Sequence, residues 1–203
     1  VNVIGLINLL EQAKEININK FILASSSSVY GLNTKIPFNE NDSIDLVNSP
    51  YAASKKTMEV YAKLYNQLYN INIICLRFFT VYGPRGRPDM APFKFINNIM
   101  NNKSIDKYGN GESYRDSTFI DDIVLGIINI FNTEIIGFQI YNLGNNKPIS
   151  LNYFIEICEK IVKKKAIINN LPNQSGDVPY TYADITKAKK DFNYNPTTTI
   201  EDG

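Results

Sequence analysis

The 203-residue sequence contains no histidine. Without imidazole it cannot form a Ser-His or Cys-His nucleophile pair, and the usual histidine ligands of a metal ion are missing. Any acid–base chemistry must therefore use tyrosine, lysine, aspartate, glutamate or a thiol. No metal site is predicted.

Cysteine is scarce, and long apolar runs are absent. The two cysteines, Cys75 and Cys158, lie inside apolar segments without CxxC spacing, which favours buried, reduced thiols over a disulfide. This use of cysteine predicts a cytoplasmic location. No apolar run reaches the roughly 18 residues that span a bilayer, and no signal-peptide pattern is present, so membrane insertion and secretion are disfavoured.

The chain also lacks an excess of charge of either sign. Lys and Arg number 21 against 20 Asp and Glu, a formal net charge of +1, which provides no basic field for a phosphate backbone. Nucleic acid is therefore an unexpected partner. The 44% hydrophobic and 20% charged content is typical of a globular protein, and the length allows one domain or two small ones.

The hydrophobic pattern predicts an α/β fold. Residues 21–24 and 71–79 are buried-strand patterns, and a helix pattern at 51–69 separates them. Strand, helix and strand in this order form the βαβ unit of a doubly wound parallel sheet. Further predicted elements are a helix over 1–14, a loop at 82–92, helices over 93–101, 121–131 (capped by Asp121 and Asp122) and 151–162 (capped by Ser150), and strands over 105–108, 113–118 and 138–143.

Tyr51 and Lys55 lie four residues apart on the predicted helix, so they share one face. A tyrosine acts as a base only as tyrosinate, which a nearby ammonium stabilises. One such pair is expected by chance in a chain with 13 tyrosines, so a solvated helix pair is the alternative. The serines at 25–28 directly follow a strand, which would place hydroxyls beside Tyr51, although serine runs are often linkers.

Three ordered motifs carry a family resemblance: SSSSVYG at 25–31, PYAASK at 50–55 and RFFTVYGP at 77–84. The chain resembles the extended short-chain dehydrogenase/reductases that modify nucleotide sugars. Through GRPDM at 86–90 it is most similar to UDP-glucuronate 4-epimerases. The resemblance implies a Rossmann-type sheet, with residues 1–80 and 119–144 in the NAD-binding domain. It also implies a smaller α+β nucleotide-sugar-binding domain of residues 81–118 and 145–203.

The family opens with a strand and a Gly-x-x-Gly-x-x-Gly turn that binds the cofactor pyrophosphate. This sequence has no such opening. We therefore expect the first strands of the sheet to be missing, the chain to be part of a longer protein, and this chain alone to be inactive.

By resemblance, Tyr51 takes the proton of the sugar 4-hydroxyl while the C4 hydrogen leaves as hydride to NAD. Lys55 would hold the nicotinamide ribose and stabilise the tyrosinate, and Ser26 would hydrogen-bond the same sugar oxygen. Asn2 and Phe79 would lie near the cofactor, with an ordinary helix position and strand core as their alternatives. Dehydratases of the family have acidic residues at the positions that Ser27 and Ser28 occupy in this sequence. Because carboxylates are absent at these two positions, the resemblance favours an epimerase over a dehydratase.

The resemblance assigns the remaining site residues to the substrate. Arg115 would grip the diphosphate, and Arg87 would select an acid sugar through its carboxylate. The other implied substrate residues are Ser27, Thr80, Tyr108 (stacking on uracil), Gln174 and Asp177 (near the uridine ribose). An ordinary surface position is the alternative for Arg115, Tyr108 and Asp177.

The expected activity is NAD-dependent 4-epimerisation of UDP-glucuronate to UDP-galacturonate, which would supply acidic sugars for surface polysaccharide. Two alternatives stay open: a 4-epimerase of UDP-glucose or UDP-N-acetylglucosamine, and a noncatalytic nucleotide-sugar-binding protein of the same fold. The family forms dimers through a four-helix bundle, so we expect a homodimer through helices 1–14 and 51–69. The stripe of Tyr61, Tyr65 and Tyr69 is the second indication.

Overall fold

The computed structural model describes residues 1–173 and 178–203. Its elements are α1 (Asn2–Glu15), β1 (Lys20–Ser26), α2 (Pro50–Tyr69), β2 (Asn72–Phe78), β3 (Thr80–Tyr82), α3 (Ala91–Met100), β4 (Ser104–Tyr108), β5 (Tyr114–Arg115), β6 (Ser117–Phe119), α4 (Ile120–Asn132), β7 (Phe138–Leu143), β8 (Ile149–Ser150), α5 (Leu151–Val162), β9 (Ile167–Leu171), β10 (Tyr180–Thr181) and α6 (Thr186–Phe192).

The central sheet is parallel, with the strand order β1-β2-β7. Ser26 pairs with Phe78, and Phe78 pairs with Leu143, so the three strands end at the same level. Helix α2 connects β1 to β2, which confirms the predicted βαβ unit and the α/β class. The carboxyl edge of such a sheet is where α/β proteins usually bind ligands.

Smaller sheets accompany the central sheet. Strands β3 and β6 form one parallel pair and β4 and β9 another, while β5 lies between β10 and β8. The strand predicted over 113–118 is two strands, because Asp116 interrupts it. The buried Asp116 carboxylate accepts hydrogen bonds from the backbone N–H groups of Asn145, Asn146 and Ala183, so it ties the chain to two distant loops.

Alternate residues of β2 enter two different hydrophobic cores. Ile74 and Leu76 belong to a cluster with β7, α4 and α6, whereas Ile73 and Cys75 belong to a cluster with α1 and α2. Both faces of β2 are therefore covered, as its continuous apolar sequence predicts. A third cluster joins α3, β4 and α5 and contains Cys158. Both thiols are buried and free, as predicted.

Serine side chains cap the starts of α2 and α5, whereas no side chain among the described residues caps the start of α4. Ser49 Oγ accepts a hydrogen bond from Ala52 N at the start of α2. The Ser150 cap of α5 is confirmed, since Ser150 Oγ accepts from Tyr153 N at 3.1 Å. The predicted Asp121-Asp122 cap of α4 is wrong, because both aspartates lie in the first helical turn and the cap position is Phe119. Asp122 instead accepts from the backbone N–H groups at 197 and 198.

Across residues 1–173 and 178–203, no helix is both long enough and apolar enough to cross a membrane. In the same residues, no three Cys, Asp or Glu side chains are grouped to hold a metal ion.

Candidate active site

The end of β1 forms the first wall of the site. Ser26 closes the strand and caps a short 3-10 helix, Ser27–Tyr30. Its Oγ accepts a hydrogen bond from Ser28 N at 3.2 Å and lies 3.1 Å from Ser28 Oγ. The serine run is therefore an ordered turn at the carboxyl edge of the sheet, not a linker.

The first turns of α2 form the second wall. The Lys55 Nζ atom lies 5.8 Å from the centroid of the Tyr51 ring, which confirms that the two side chains share a helix face. The same Nζ donates a hydrogen bond of 2.8 Å to Ala24 O, two residues before Ser26. Tyr51 is half exposed, so part of its side chain is open to solvent.

Asn2 lies beside this pair. Its amide donates a 3.0 Å hydrogen bond to Ser54 Oγ, which in turn donates to Tyr51 O at 2.7 Å. The start of α1 is thus attached to the start of α2. The predicted contact of Asn2 with a cofactor stays a prediction.

A cavity of about 340 Å³ opens next to the end of β2. Thr80, Tyr108 and Arg115, all predicted to contact substrate, line it together. The Arg115 guanidinium is held in place, because its Nη1 donates to Tyr114 O at 2.9 Å and to Val178 O at 2.8 Å. The structure therefore brings three predicted substrate residues from three strands to one cavity.

Arg87 lies in the loop before α3 and is exposed. Its guanidinium forms two hydrogen bonds with the Asp89 carboxylate, which raise the pKa of Arg87, and the negative charge of an ionised Tyr51 raises it further. Arg87 lines a neighbouring cavity of about 390 Å³, while Asp89 lines the cavity of Thr80. Arg87 is therefore within electrostatic range of Tyr51 and lies on the loop that adjoins both cavities.

Phe79 lies in the core and not on the surface of the site. It is 6% exposed, and its ring centroid lies 6.3 Å from those of Tyr30 and Phe38. Strand core, the alternative for this residue, is what the structure favours. Gln174 and Asp177, the two remaining predicted substrate residues, lie outside the described residues.

A buried polar network beneath the serine turn was not predicted. Arg77 and Glu59 form a bidentate ion pair, with Nε to Oε1 at 2.9 Å and Nη2 to Oε2 at 2.8 Å. Arg77 also lies over the ring of Tyr30, 4.8 Å from its centroid. Burial raises the pKa of Tyr30 to about 12, so its hydroxyl stays protonated and donates to Asn142 Oδ1 at 2.7 Å.

A tyrosine and a lysine at the start of α2 adjoin the end of β1, where a serine closes the strand, and a cavity beyond β2 contains a fixed arginine. A family profile described as GDP-mannose 4,6 dehydratase matches residues 1–203. The chain belongs to this family.

Relatives within the GDP-mannose 4,6 dehydratase family include named epimerases. A UDP-glucuronate 4-epimerase of Thermodesulfobacterium geofontis is 45% identical over 203 residues, which are 100% of this chain and 62% of the relative. The structure of a UDP-glucuronic acid 4-epimerase from Bacillus cereus with UDP-glucuronic acid and NAD superposes with a TM-score of 0.91 at 37% identity. This chain covers 64% of it and is covered completely.

A second solved structure of the family bears on the choice of sugar. A UDP-N-acetylglucosamine 4-epimerase from Methanobrevibacter ruminantium, in complex with UDP-N-acetylmuramic acid, has a TM-score of 0.91 at 30% identity. The match covers 99% of this chain and 64% of that one. The chain thus spans less than two thirds of the length of each of these relatives. The matches confirm the family resemblance and the Rossmann-type fold that the motifs predict.

Proposed function

We propose that the gene product containing residues 1–203 is an NAD-dependent UDP-sugar 4-epimerase that acts on UDP-glucuronate. The observation that carries this proposal is the hydrogen bond from Lys55 to Ala24 O, which attaches the shared helix face of Tyr51 and Lys55 to the end of β1, where Ser26 lies. The named epimerase relatives support the reaction, and the adjoining cavity supports a nucleotide-sugar substrate.

The residues of the site fit the nicotinamide ribose of NAD. The Lys55 ammonium has three donors, and one of them is used on Ala24 O, so the others suit ribose hydroxyls. Asn2 adds an amide at the same place. Residues 1–173 and 178–203 contain no glycine-rich turn between a strand and a helix that would hold the pyrophosphate, and this supports the expectation that the chain alone is inactive. When bound, NAD accepts the C4 hydrogen as hydride and returns it.

The residues of the chain move and hold the proton. In the proposed reaction Tyr51, as tyrosinate, takes the proton of the sugar 4-hydroxyl, and the Lys55 ammonium offsets its charge. Ser26 Oγ donates to the same oxygen and keeps it oriented while C4 is a ketone. Tyr51 then returns the proton to that oxygen after the sugar ring has turned, which inverts C4. Ser27 follows Ser26 on the turn and would contact the sugar.

The cavity of about 340 Å³ is the proposed nucleotide subsite. A fixed guanidinium suits a diphosphate, which Arg115 would bind, and Tyr108 offers a ring for stacking on uracil. Thr80 follows two residues after Phe78, the strand partner of Ser26, and it lines this cavity. Gln174 and Asp177 keep their proposed substrate roles.

The choice of an acid sugar depends on Arg87. A sugar carboxylate entering the site would compete with Asp89 for this guanidinium. We expect Arg87→Leu to lower kcat/KM for UDP-glucuronate while UDP-glucose and UDP-N-acetylglucosamine are converted at their former rates. An equal effect on all three substrates would favour the neutral-sugar alternative, which the relative from Methanobrevibacter ruminantium represents.

Tyr51→Phe tests the reaction itself, since it removes the proposed base and keeps the ring. In the gene product expressed from its complete reading frame, we expect it to lower kcat by roughly 100-fold or more. Tyr153→Phe is the matched control, because Tyr153 is a similarly exposed tyrosine on α5. Full activity of Tyr51→Phe would revive the noncatalytic alternative.

We also propose a homodimer that uses α1 and α2, but without Tyr65 of the tyrosine stripe. Tyr65 is buried and its hydroxyl donates to Glu11 on α1, so it holds the two helices together within one chain. Val60, Leu64 and Leu68 instead form an exposed apolar stripe, with exposures of 60%, 42% and 60%. Such a stripe at helical spacing is suited to a second copy of the bundle.

The division into two domains, the cytoplasmic location and the supply of acidic sugars for surface polysaccharide stay part of the proposal. The separate hydrophobic cluster of α3, β4 and α5 supports the second domain. The two buried free thiols are consistent with a reducing compartment.

A further inference from the structure

Glu59 lies one turn after Lys55 and two turns after Tyr51 on α2, and it is 4% exposed. Its carboxylate contacts two strands at once. Oε1 accepts hydrogen bonds from Ser25 Oγ at 2.6 Å and from Arg77 Nε at 2.9 Å, and Oε2 accepts from Arg77 Nη2 at 2.8 Å. Helix α2 is therefore fastened to β1 and β2 through one side chain.

The fastening lies next to the proposed catalytic residues. Ser25 precedes Ser26 on β1, and Arg77 is the partner of Ser25 across the sheet. Lys55 is bound to Ala24 O, so two successive turns of α2 are bound to two successive residues of β1. These bonds fix where α2 lies along the direction of β1. They thereby also fix the distance between Tyr51 and Ser26.

Arg77 extends the same network to the serine turn. Its guanidinium lies 4.8 Å from the ring centroid of Tyr30, the last residue of the 3-10 helix that Ser26 caps. Packing alone does not require charges here, because buried ion pairs are often replaced by apolar residues of similar volume with no loss of stability. Unlike apolar residues, a bidentate ion pair fixes the relative orientation of its two side chains as well as the distance between them.

We infer that Glu59 and Arg77 are positioning residues, which hold α2 and the serine turn in the register that proton transfer by Tyr51 requires. The inference rests on the proposed function. Because a misplacement of about 1 Å can cost on the order of 100-fold in rate, the network is expected to act on kcat.

The test is the double variant Glu59→Met with Arg77→Met, which fills the same space without directional bonds. We expect its unfolding midpoint to stay near the wild-type value, its kcat to fall roughly 10- to 100-fold, and its KM to change by less than about threefold. The control, Tyr141→Phe, loses a partly buried hydrogen bond to Asp191 on the other side of the sheet and should keep its kcat. A folded double variant with wild-type kcat would overturn the inference.

Ser25→Ala is the second variant, for the case that the double variant does not fold. It removes only the bond from Glu59 to β1, so we expect a several-fold loss of kcat, again at unchanged KM. Crystal structures of the variants give a readout that does not depend on turnover. A shift of Tyr51 relative to Ser26 supports the inference even if the protein has no 4-epimerase activity, which would refute only the proposed function. An unshifted pair in the variants overturns the inference in either case.

Discussion

Asp116→Asn is expected to destabilise the chain beside the cavity of about 340 Å³, which the neighbouring residues Arg115 and Ser117 line. The Asp116 side chain is fully buried, and its two oxygens accept three backbone N–H bonds: Asn145 at 2.7 Å on Oδ1, and Asn146 at 3.1 Å and Ala183 at 2.9 Å on Oδ2. Burial raises the pKa of Asp116, while these three bonds oppose the rise. A Cβ built on Gly144 would lie 2.6 Å from Oδ2, so the backbone approaches as closely as only glycine allows.

An asparagine at this position has one acceptor oxygen, and in either orientation its NH₂ group faces at least one N–H donor. An unsatisfied buried donor costs about 1–3 kcal/mol. For a chain of this length we expect the thermal midpoint to fall by roughly 2–12 °C. Circular dichroism of the wild type, Asp116→Asn and the exposed control Asp121→Asn measures this. Equal midpoints for the two variants would refute the account of Asp116.

Two further predictions concern charge and assembly. The hydrogen bond from Lys165, with one from Ala166 N, lowers the pKa of Glu159 from 4.5. Its contribution to stability is therefore present above pH 4.5 and is lost as the pH falls through the lower folded-state pKa, so Glu159→Gln should reduce the urea midpoint by more at pH 7 than at pH 3. Leu64→Asp should convert a dimer of the gene product to a monomer by light scattering, and a monomeric wild type would contradict the dimer.

The sequence predicts the parts of the fold that follow from local chemistry. Residues 51–69 are a helix because a Ser-Pro start and a long polar-apolar repeat agree, and Ser150 caps α5 because a serine there precedes an amphipathic run. The shared face of Tyr51 and Lys55 follows from helical geometry alone. These features need no knowledge of the rest of the chain.

The features that escape prediction depend on distant partners. Glu59 and Arg77 are 18 residues apart in the chain, and their pairing needs α2 to lie across β2. A signal was present, since Arg77 is a charged residue within an otherwise apolar strand pattern, where a buried partner is required. Likewise, Asp116 breaks a predicted strand because its partners lie about 30 and 67 residues away. The predicted cap of α4 is wrong because the Asp122 carboxylate accepts a hydrogen bond from Thr197 N, which lies 75 residues away in the chain.

The central claim is that C4 of a UDP-sugar is oxidised and reduced again within one site. Its most direct test is to incubate the complete gene product with UDP-glucuronate deuterated at C4 and to follow the product by NMR. The account predicts UDP-galacturonate that keeps the deuterium at C4, since the same hydrogen leaves and returns. Loss of the deuterium to solvent, or no conversion of the acid sugar, would contradict it.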